Sequence, residues 1–221
     1  MDDYMIYVVI ALSFVVIVSF FLGRVSNNRI QRKFWKALTQ TLKSHCTTFK
    51  HVGFGSSGFK LACPTKRKEP LNKFEATLVL LDRENILHYP IQVLRGGYDQ
   101  LIFKANFHKS PKARIEIMSK IEGKKVDRAL KTRETLTEIK VGNGDLDKAF
   151  IVKTSNPRKA KNLLTNKSFL QQIQNLKEHV RRISIAPNEP HIYLICVADE
   201  KTVPQVVSFM FMRDLFLQIF E

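Results

Sequence analysis

Tyr4 to Leu22 (YMIYVVIALSFVVIVSFFL) is an unbroken run of 19 uncharged, mostly apolar residues. At about 1.5 Å of rise per residue it forms a helix of roughly 28 Å, close to the ~30 Å hydrocarbon core of a bilayer. A cleaved secretory signal starts basic, has a shorter apolar stretch and ends on a small-residue site. Here Met1-Asp2-Asp3 is acidic and no A-x-A pattern follows, so the run is expected to remain as a transmembrane anchor. From Asn27 to about His45 the pattern changes. Ile30, Phe34, Ala37, Leu38, Thr41 and Leu42 recur at spacings of three and four, with basic residues on the other faces. This predicts an amphipathic helix with a narrow apolar stripe. Lying at the headgroup surface and continuing the span as a stalk are the alternatives. Docking on the domain is favoured, because the stripe needs cover.

Further along, Thr47–Val52 and Phe59–Cys63 flank a glycine-rich turn and predict a hairpin. Strands are expected at Glu75–Leu81, Leu101–Phe107 and Ala113–Met118. Asp82–Leu94 reads as a helical piece that Pro90 must kink or shorten. Residues 119–135 are densely charged and weakly patterned, as in a loop or an exposed short helix. Ala149–Lys153 predicts a strand, and Ser155-Asn156-Pro157 a helix start with proline first. That helix runs through Leu164, and a second covers Ser168–His179. Arg182–Ile185 and Ile192–Val197 form a hairpin around Asn188-Glu189-Pro190. Thr202-Val203-Pro204 opens a final helix expected to run nearly to Glu221. Strands and helices mix without a βαβ rhythm, which predicts an α+β fold: one transmembrane helix, then a single mixed, mostly antiparallel domain. The layout is residues 1–25 as anchor, 26–46 as juxtamembrane helix and 47–221 as a basic cytosolic domain.

Charge sets the expected topology. No Lys or Arg precedes the span, whereas Arg24, Arg29, Arg32, Lys33, Lys36, Lys43 and Lys50 follow it, with no acidic residue up to Lys50. Basic flanks stay in the cytosol. The N-terminus should face outward and the body inward, at the endoplasmic reticulum in a eukaryote or the cell membrane in an archaeon or bacterium. In that orientation the acceptor Asn166-Lys167-Ser168 stays unglycosylated. The formal charge is +16, and it is unevenly spread. Residues 24–182 hold 34 basic and 13 acidic side chains, while 183–221 hold two basic and five acidic ones. A basic surface beside an anionic leaflet gains about 1 kcal/mol per Lys or Arg near the headgroups. The alternative partner is a polyanion such as ribosomal RNA. Lys66, Arg67, Lys68, Lys124, Lys125, Arg128 and Lys131 cluster in expected loops and are the candidate RNA or lipid contacts. Arg24, Arg29, Arg32, Lys33 and Lys36 are the membrane-proximal basic set. No aromatic interleaving or RNA-recognition signature accompanies the basic runs.

The chain offers little chemistry. Cys46, Cys63 and Cys196 are too few and too scattered for a disulfide scaffold, and they lack zinc spacing. Small buried thiols are the expectation. Gly53-Phe54-Gly55-Ser56-Ser57-Gly58 matches a dinucleotide fingerprint, but Pro64 stops the following segment, and a hairpin loop explains the glycines better. His45, His51, His88, His108, His179 and His191 never fall at i, i+4 on a plausible helix. Asp145 and Asp147 could hold a metal, though turn formation is the commoner use of such a pair. No catalytic, cofactor or metal site is expected, no DNA or small-molecule partner is indicated, and an enzyme is disfavoured. The last helix wraps apolar residues around most of its circumference. Core burial is the default for it. The alternative is a Met- and Phe-rich surface, with Phe209, Met210, Met212 and Phe216, that accepts hydrophobic clients or partners.

Several segments carry a resemblance: Asn27-Asn28-Arg29-Ile30 with the Trp35-containing helix, Phe49–Gly53, Glu75–Leu87, and Asp145–Thr154 with the helix that follows. Together with the N-out span, the arrangement resembles the calumin-like family, the coiled-coil-domain subunit of the endoplasmic-reticulum multipass translocon. The long acidic segment before the span and the Lys/Glu-rich coiled-coil tail of that family have no counterpart here. The resemblance implies a non-enzymatic factor beside the protein-conducting channel that touches the ribosome and shields nascent transmembrane helices. The second expectation is a tethered scaffold whose basic domain meets anionic lipid and a protein partner.

Overall fold

The computed structural model describes residues 3–121 and 136–212. Helix α1, Asp3–Leu42, is a single 40-residue element. The apolar span and the amphipathic stripe are therefore one rod, and its lower half docks. Phe34, Leu38 and Leu42 are buried while Tyr4 to Leu22 project outward almost throughout. Among the described residues this is the one helix long and apolar enough to cross a membrane, and it makes the chain a membrane-anchored protein.

The remaining described residues form an α+β domain. A nine-stranded sheet has the order β1-β2-β3-β4-β9-β8-β5-β7-β6, and every pairing is antiparallel. Its strands are β1 (Lys50–Gly53), β2 (Gly58–Pro64), β3 (Leu71–Val79), β4 (Gln100–Phe107), β5 (Ile115–Ser119), β6 (Thr137–Ile139), β7 (Phe150–Thr154), β8 (Val180–Ile185) and β9 (Ile192–Val197). The β8–β9 hairpin, late in the chain, sits mid-sheet and joins the β1–β4 meander to β5, β7 and β6. Strand alternation is clean in β4, whose odd residues are buried and even ones half-exposed, as a strand with one core face requires.

The helices are α2 (His88–Leu94), α3 (Gly144–Ala149), α4 (Pro157–Thr165), α5 (Lys167–Leu176) and α6 (Val203–Met210). Asn156 caps α4 ahead of Pro157 by accepting from the Lys159 amide, and Asn166 caps α5 by accepting from Phe169. Ala160, Leu163 and Leu164 of α4, Phe169, Ile173 and Leu176 of α5, and Val206, Phe209 and Met210 of α6 share one core with the lower half of α1.

Three expectations change. Only His88–Leu94 of the Asp82–Leu94 piece is helical, and Pro90 falls in its first turn, where the missing amide has no intrahelical acceptor. The final helix stops at Met210. Phe211 turns inward there, stacking on His45 at 4.2 Å and meeting Phe74 at 5.3 Å. Cys46 and Cys63 are not separate thiols but form a disulfide across a Cα–Cα distance of 5.8 Å. The bridge between Cys46 and Thr65 aligns the end of α1 with β2, a juxtaposition no local pattern announces. Cys196 remains a buried free thiol.

Candidate functional site

The site begins with how the rod meets the sheet. Gly23 lies at the end of the apolar run, and a Cβ there would sit 2.1 Å from the Arg83 carbonyl oxygen. Only glycine lets the 81–85 turn approach so closely. One turn later Asn27, buried to 1% exposure, donates from Nδ2 to the Leu81 carbonyl at 3.0 Å. Its Oδ1 accepts from Arg83 Nη1 at 3.0 Å. Arg83 in turn forms a bidentate pair with Asp99 at 2.8 and 2.7 Å, and Asp99 also accepts from the Leu81 amide. The hydrogen bond to Asp99 holds the Arg83 guanidinium firmly charged against the burial that opposes it.

Below this joint α1 displays Arg24, Arg29, Arg32, Lys33 and Lys36, all exposed. Lys33 reaches Glu200 at 3.7 Å. At the far end Lys66 donates from Nζ to the Ser44 carbonyl at 2.6 Å and to Lys43 at 3.3 Å. It thus satisfies free carbonyls beyond the helix terminus with a cation, as the helix dipole favours. Arg67 and Lys68 beside it are exposed. The turn is carried about 30 Å past Leu22, the 20 residues to Leu42 at 1.5 Å each. Lys124, Lys125, Arg128, Lys131 and Phe216 lie outside the described residues.

The second face of the sheet holds an array that strand-by-strand reading misses. Following the register, one row runs Glu75, Lys104, Tyr193, Ser184, Glu116, Lys153, Glu138 across seven strands. Glu75 accepts from Lys60 at 2.7 Å and Lys73 at 2.9 Å. Burial pushes its carboxyl up, but these two lysines outweigh that and hold it below the ordinary range, while Glu75 raises Lys73. Lys104 and Arg182 each lie 5.7 Å from the Tyr193 ring, within cation–π reach. Burial raises the Tyr193 phenol against the opposing charge of Arg182. Glu116, fully buried, accepts from Arg114 at 3.1 Å, Arg182 at 3.1 Å and Ser184 at 2.7 Å. Lys73, Glu75, Lys104, Asn106 and Glu189 edge a pocket of about 290 Å³. The alternation within each strand is legible in sequence; the partner across each ladder is not.

The remaining candidates fall in place. Phe209 and Met210 are fully buried and Met212 is half-buried, so the first two build core and line no groove. The glycine-rich stretch joins β1 to β2 through a short 3-10 turn at Gly55–Ser57, not a strand to a helix. Asp147 accepts from the Val141 and Gly142 amides, and the Asp145 amide donates to the Asn143 cap. The Asp147 carboxylate therefore braces the turn before α3, and Asp145 lies in the first turn of that helix. Among the described residues no group of three or more His, Cys, Asp or Glu converges as a metal site would need.

No curated protein matches the chain. Among solved structures, the crystal structure of the mycobacterial trehalose monomycolate transport factor A, TtfA, aligns over 85% of this chain and 97% of that one, with 9% identity and a TM-score of 0.46. A family model described as a protein of unknown function, DUF3137, matches residues 98–216, from two residues before β4 to beyond the end of α6. That is more than half of the chain, and the protein belongs to the DUF3137 family.

Proposed function

We propose that this protein is a non-enzymatic docking factor that holds a basic body at the cytosolic membrane surface for a polyanionic macromolecule. The ribosome at a protein-conducting channel is the partner, and the role is assistance to multipass membrane-protein insertion, as in the calumin-like plan. One length carries the reading. Arg67 and Lys68, in the β2–β3 turn that Lys66 holds against the end of α1, stand about 30 Å beyond the span along that helix, several times the ~8 Å screening length at physiological salt. Headgroups of the same membrane are out of their electrostatic reach. A large anionic partner approaching from the aqueous side is not.

A lipid-directed scaffold is the second reading, and Arg24 and Arg29 favour it. They lie about 3 and 10 Å past Leu22 along the helix, near enough for an anionic leaflet to attract them. The two readings separate in the full-length chain reconstituted in lipid nanodiscs. Ribosome co-sedimentation should fall steeply as salt rises, and reversing Arg67→Glu with Lys68→Glu should weaken it about tenfold or more. Co-sedimentation that is absent, or unchanged in the double variant, together with a preference for anionic over neutral lipid that Arg24→Glu with Arg29→Glu abolishes, would remove the ribosome in favour of lipid.

A further inference from the structure

The segment from Ile86 to Leu94 turns most of its apolar side chains outward, beside the exposed His88, which meets Asp82 at 3.3 Å. Helix α2 and the turn before it expose Leu87 at 76%, Leu94 at 86%, Ile91 at 44% and Val93 at 46%, and α2 contains no buried residue. The side chains that face the protein are polar. Gln92 Oε1 accepts from the Asp82 amide at 3.1 Å, and the Tyr89 ring lies 5.5 Å from the Arg83 guanidinium. A water-facing surface helix has the opposite arrangement, and a contiguous exposed apolar patch marks an interaction surface.

Its place in the fold names the occupant. Ile86 and Leu87 line one cleft with Val16, Ile17, Phe20 and Phe21 of the span, with Asp82, Glu84 and Asn85 at its domain side. Val16 is six residues inside Leu22, so the turn reaches about 9 Å up the hydrophobic rod. It is held there by the Gly23–Arg83 approach and the Asn27–Arg83–Asp99 network. Whatever solvates Phe20 and Phe21 must also solvate Leu87, and around a transmembrane helix that is lipid. Arg95, exposed directly after Leu94, can extend to the headgroups as interfacial cations do.

We infer that Ile86–Leu94 is a second membrane element, a short monotopic wedge that enters the leaflet beside α1. Its apolar side chains contact acyl chains, and it fixes the domain's rotation about the span. Amphipathic segments of this kind lie about 5–10 Å below the headgroup boundary, the depth set here by Val16. The inference rests on the span alone and is independent of any ribosomal role.

The test uses the unmodified full-length chain in phosphatidylcholine vesicles, which contain no protein partner. A carbene-generating photolabel confined to the acyl region is activated, and adducts are mapped by mass spectrometry. Adducts should appear in 4–22 and also in 86–94, with none in 64–70 at the opposite end of α1. A second readout places tryptophan at Leu87→Trp or Leu94→Trp in a Trp35→Phe background, with Lys68→Trp as control. Brominated acyl chains should quench the first two by at least half and leave the control unchanged. Labelling of the span alone, or quenching at 87 and 94 no greater than at 68, overturns the wedge and leaves the patch to a protein partner.

Discussion

Asn27 Oδ1 and Arg83 Nη1 meet at 3.0 Å across 56 residues of sequence, and this contact couples the membrane rod to the sheet. Asn27 is on α1 just past the span, while Arg83 is in the turn between β3 and α2. Removing the amide takes one of two donors from the Leu81 carbonyl, which keeps the Arg83 backbone amide at 2.9 Å, and takes one acceptor from the Arg83 side chain. Asn27→Leu should lower stability by about 1–3 kcal/mol, read as an earlier thermal transition in detergent. Protease sensitivity at 82–97 should rise with it.

Gly23 makes a sharper version of the same point. With its Cβ position 2.1 Å from the Arg83 carbonyl oxygen, Gly23→Leu cannot be accommodated unless the turn moves away. The span itself should insert normally, since leucine suits it. Cleavage within 82–97 should accelerate, whereas Gly144→Ala, with open space at its Cβ position, should leave that segment unaffected.

Glu116 is a fully buried acid on the second sheet face, held by Arg114, Arg182 and Ser184. Glu116→Ala takes the buried carboxylate away from the part-buried Arg182 guanidinium and the Ser184 hydroxyl, and one contact from Arg114. Breaking such an arrangement from one side costs about 3–5 kcal/mol, so the variant should unfold at markedly lower denaturant. Lys66→Ala is the mild counterpart. It removes a cap on exposed carbonyls and should cost about 0.3–1 kcal/mol without altering partner binding, in contrast to Arg67 and Lys68.

Glu75 gives a pH signature. Its carboxyl lies below the ordinary value of 4.5 in the folded chain, where Lys60 and Lys73 outweigh burial. The unfolded chain thus takes up a proton first as pH falls. The Glu75 contribution is complete above its ordinary pKa and fades as pH drops through the depressed folded value. Lys73 is raised from 10.5, so its share is complete below that value and fades as pH climbs through the raised one. Glu75→Gln should therefore flatten stability against pH below about 4.5 and above about 10.5, measured by denaturant melts across the range.

The Cys46–Cys63 disulfide closes a separation of 17 residues, a loop for which chain entropy gives about 3 kcal/mol. Reductant should lower the thermal transition of the purified chain, and Cys63→Ser should abolish that difference. The same pair reports topology. With a cytosolic body, acid-quenched cells should yield both thiols reduced, the bond closing only in air. A bond already intact in the cell would place the body on the oxidising side.

Much of the architecture is written locally. The anchor is legible because 19 uncharged residues can satisfy their backbone only as a helix in lipid. The docking stripe of Phe34, Leu38 and Leu42, the Asn156-Pro157 helix start and the β8–β9 hairpin follow from periodicity and capping chemistry, which act over a few residues. Pairings across long loops are not written this way. Nothing near Cys46 specifies Cys63, and nothing near Glu116 specifies Arg182 and Ser184, 66 and 68 residues away. Alternation shows which face of a strand a residue occupies, whereas its ladder partner depends on strand order.

The amino-acid order by itself determined that an uncharged helix precedes a basic α+β body, because burial period and charge are properties of short stretches. Only the tertiary structure decided that span and stripe form one rod, since a helix boundary between them depends on what each half packs against. It alone decided that α6 ends at Met210, with the next ring, Phe211, set against His45 and Phe74. It also set Ile86 and Leu87 beside the span. Their hydrophobicity is local, but their exposure depends on where the chain returns to α1, and Gly23 and Asn27 hold it there through contacts more than fifty residues apart.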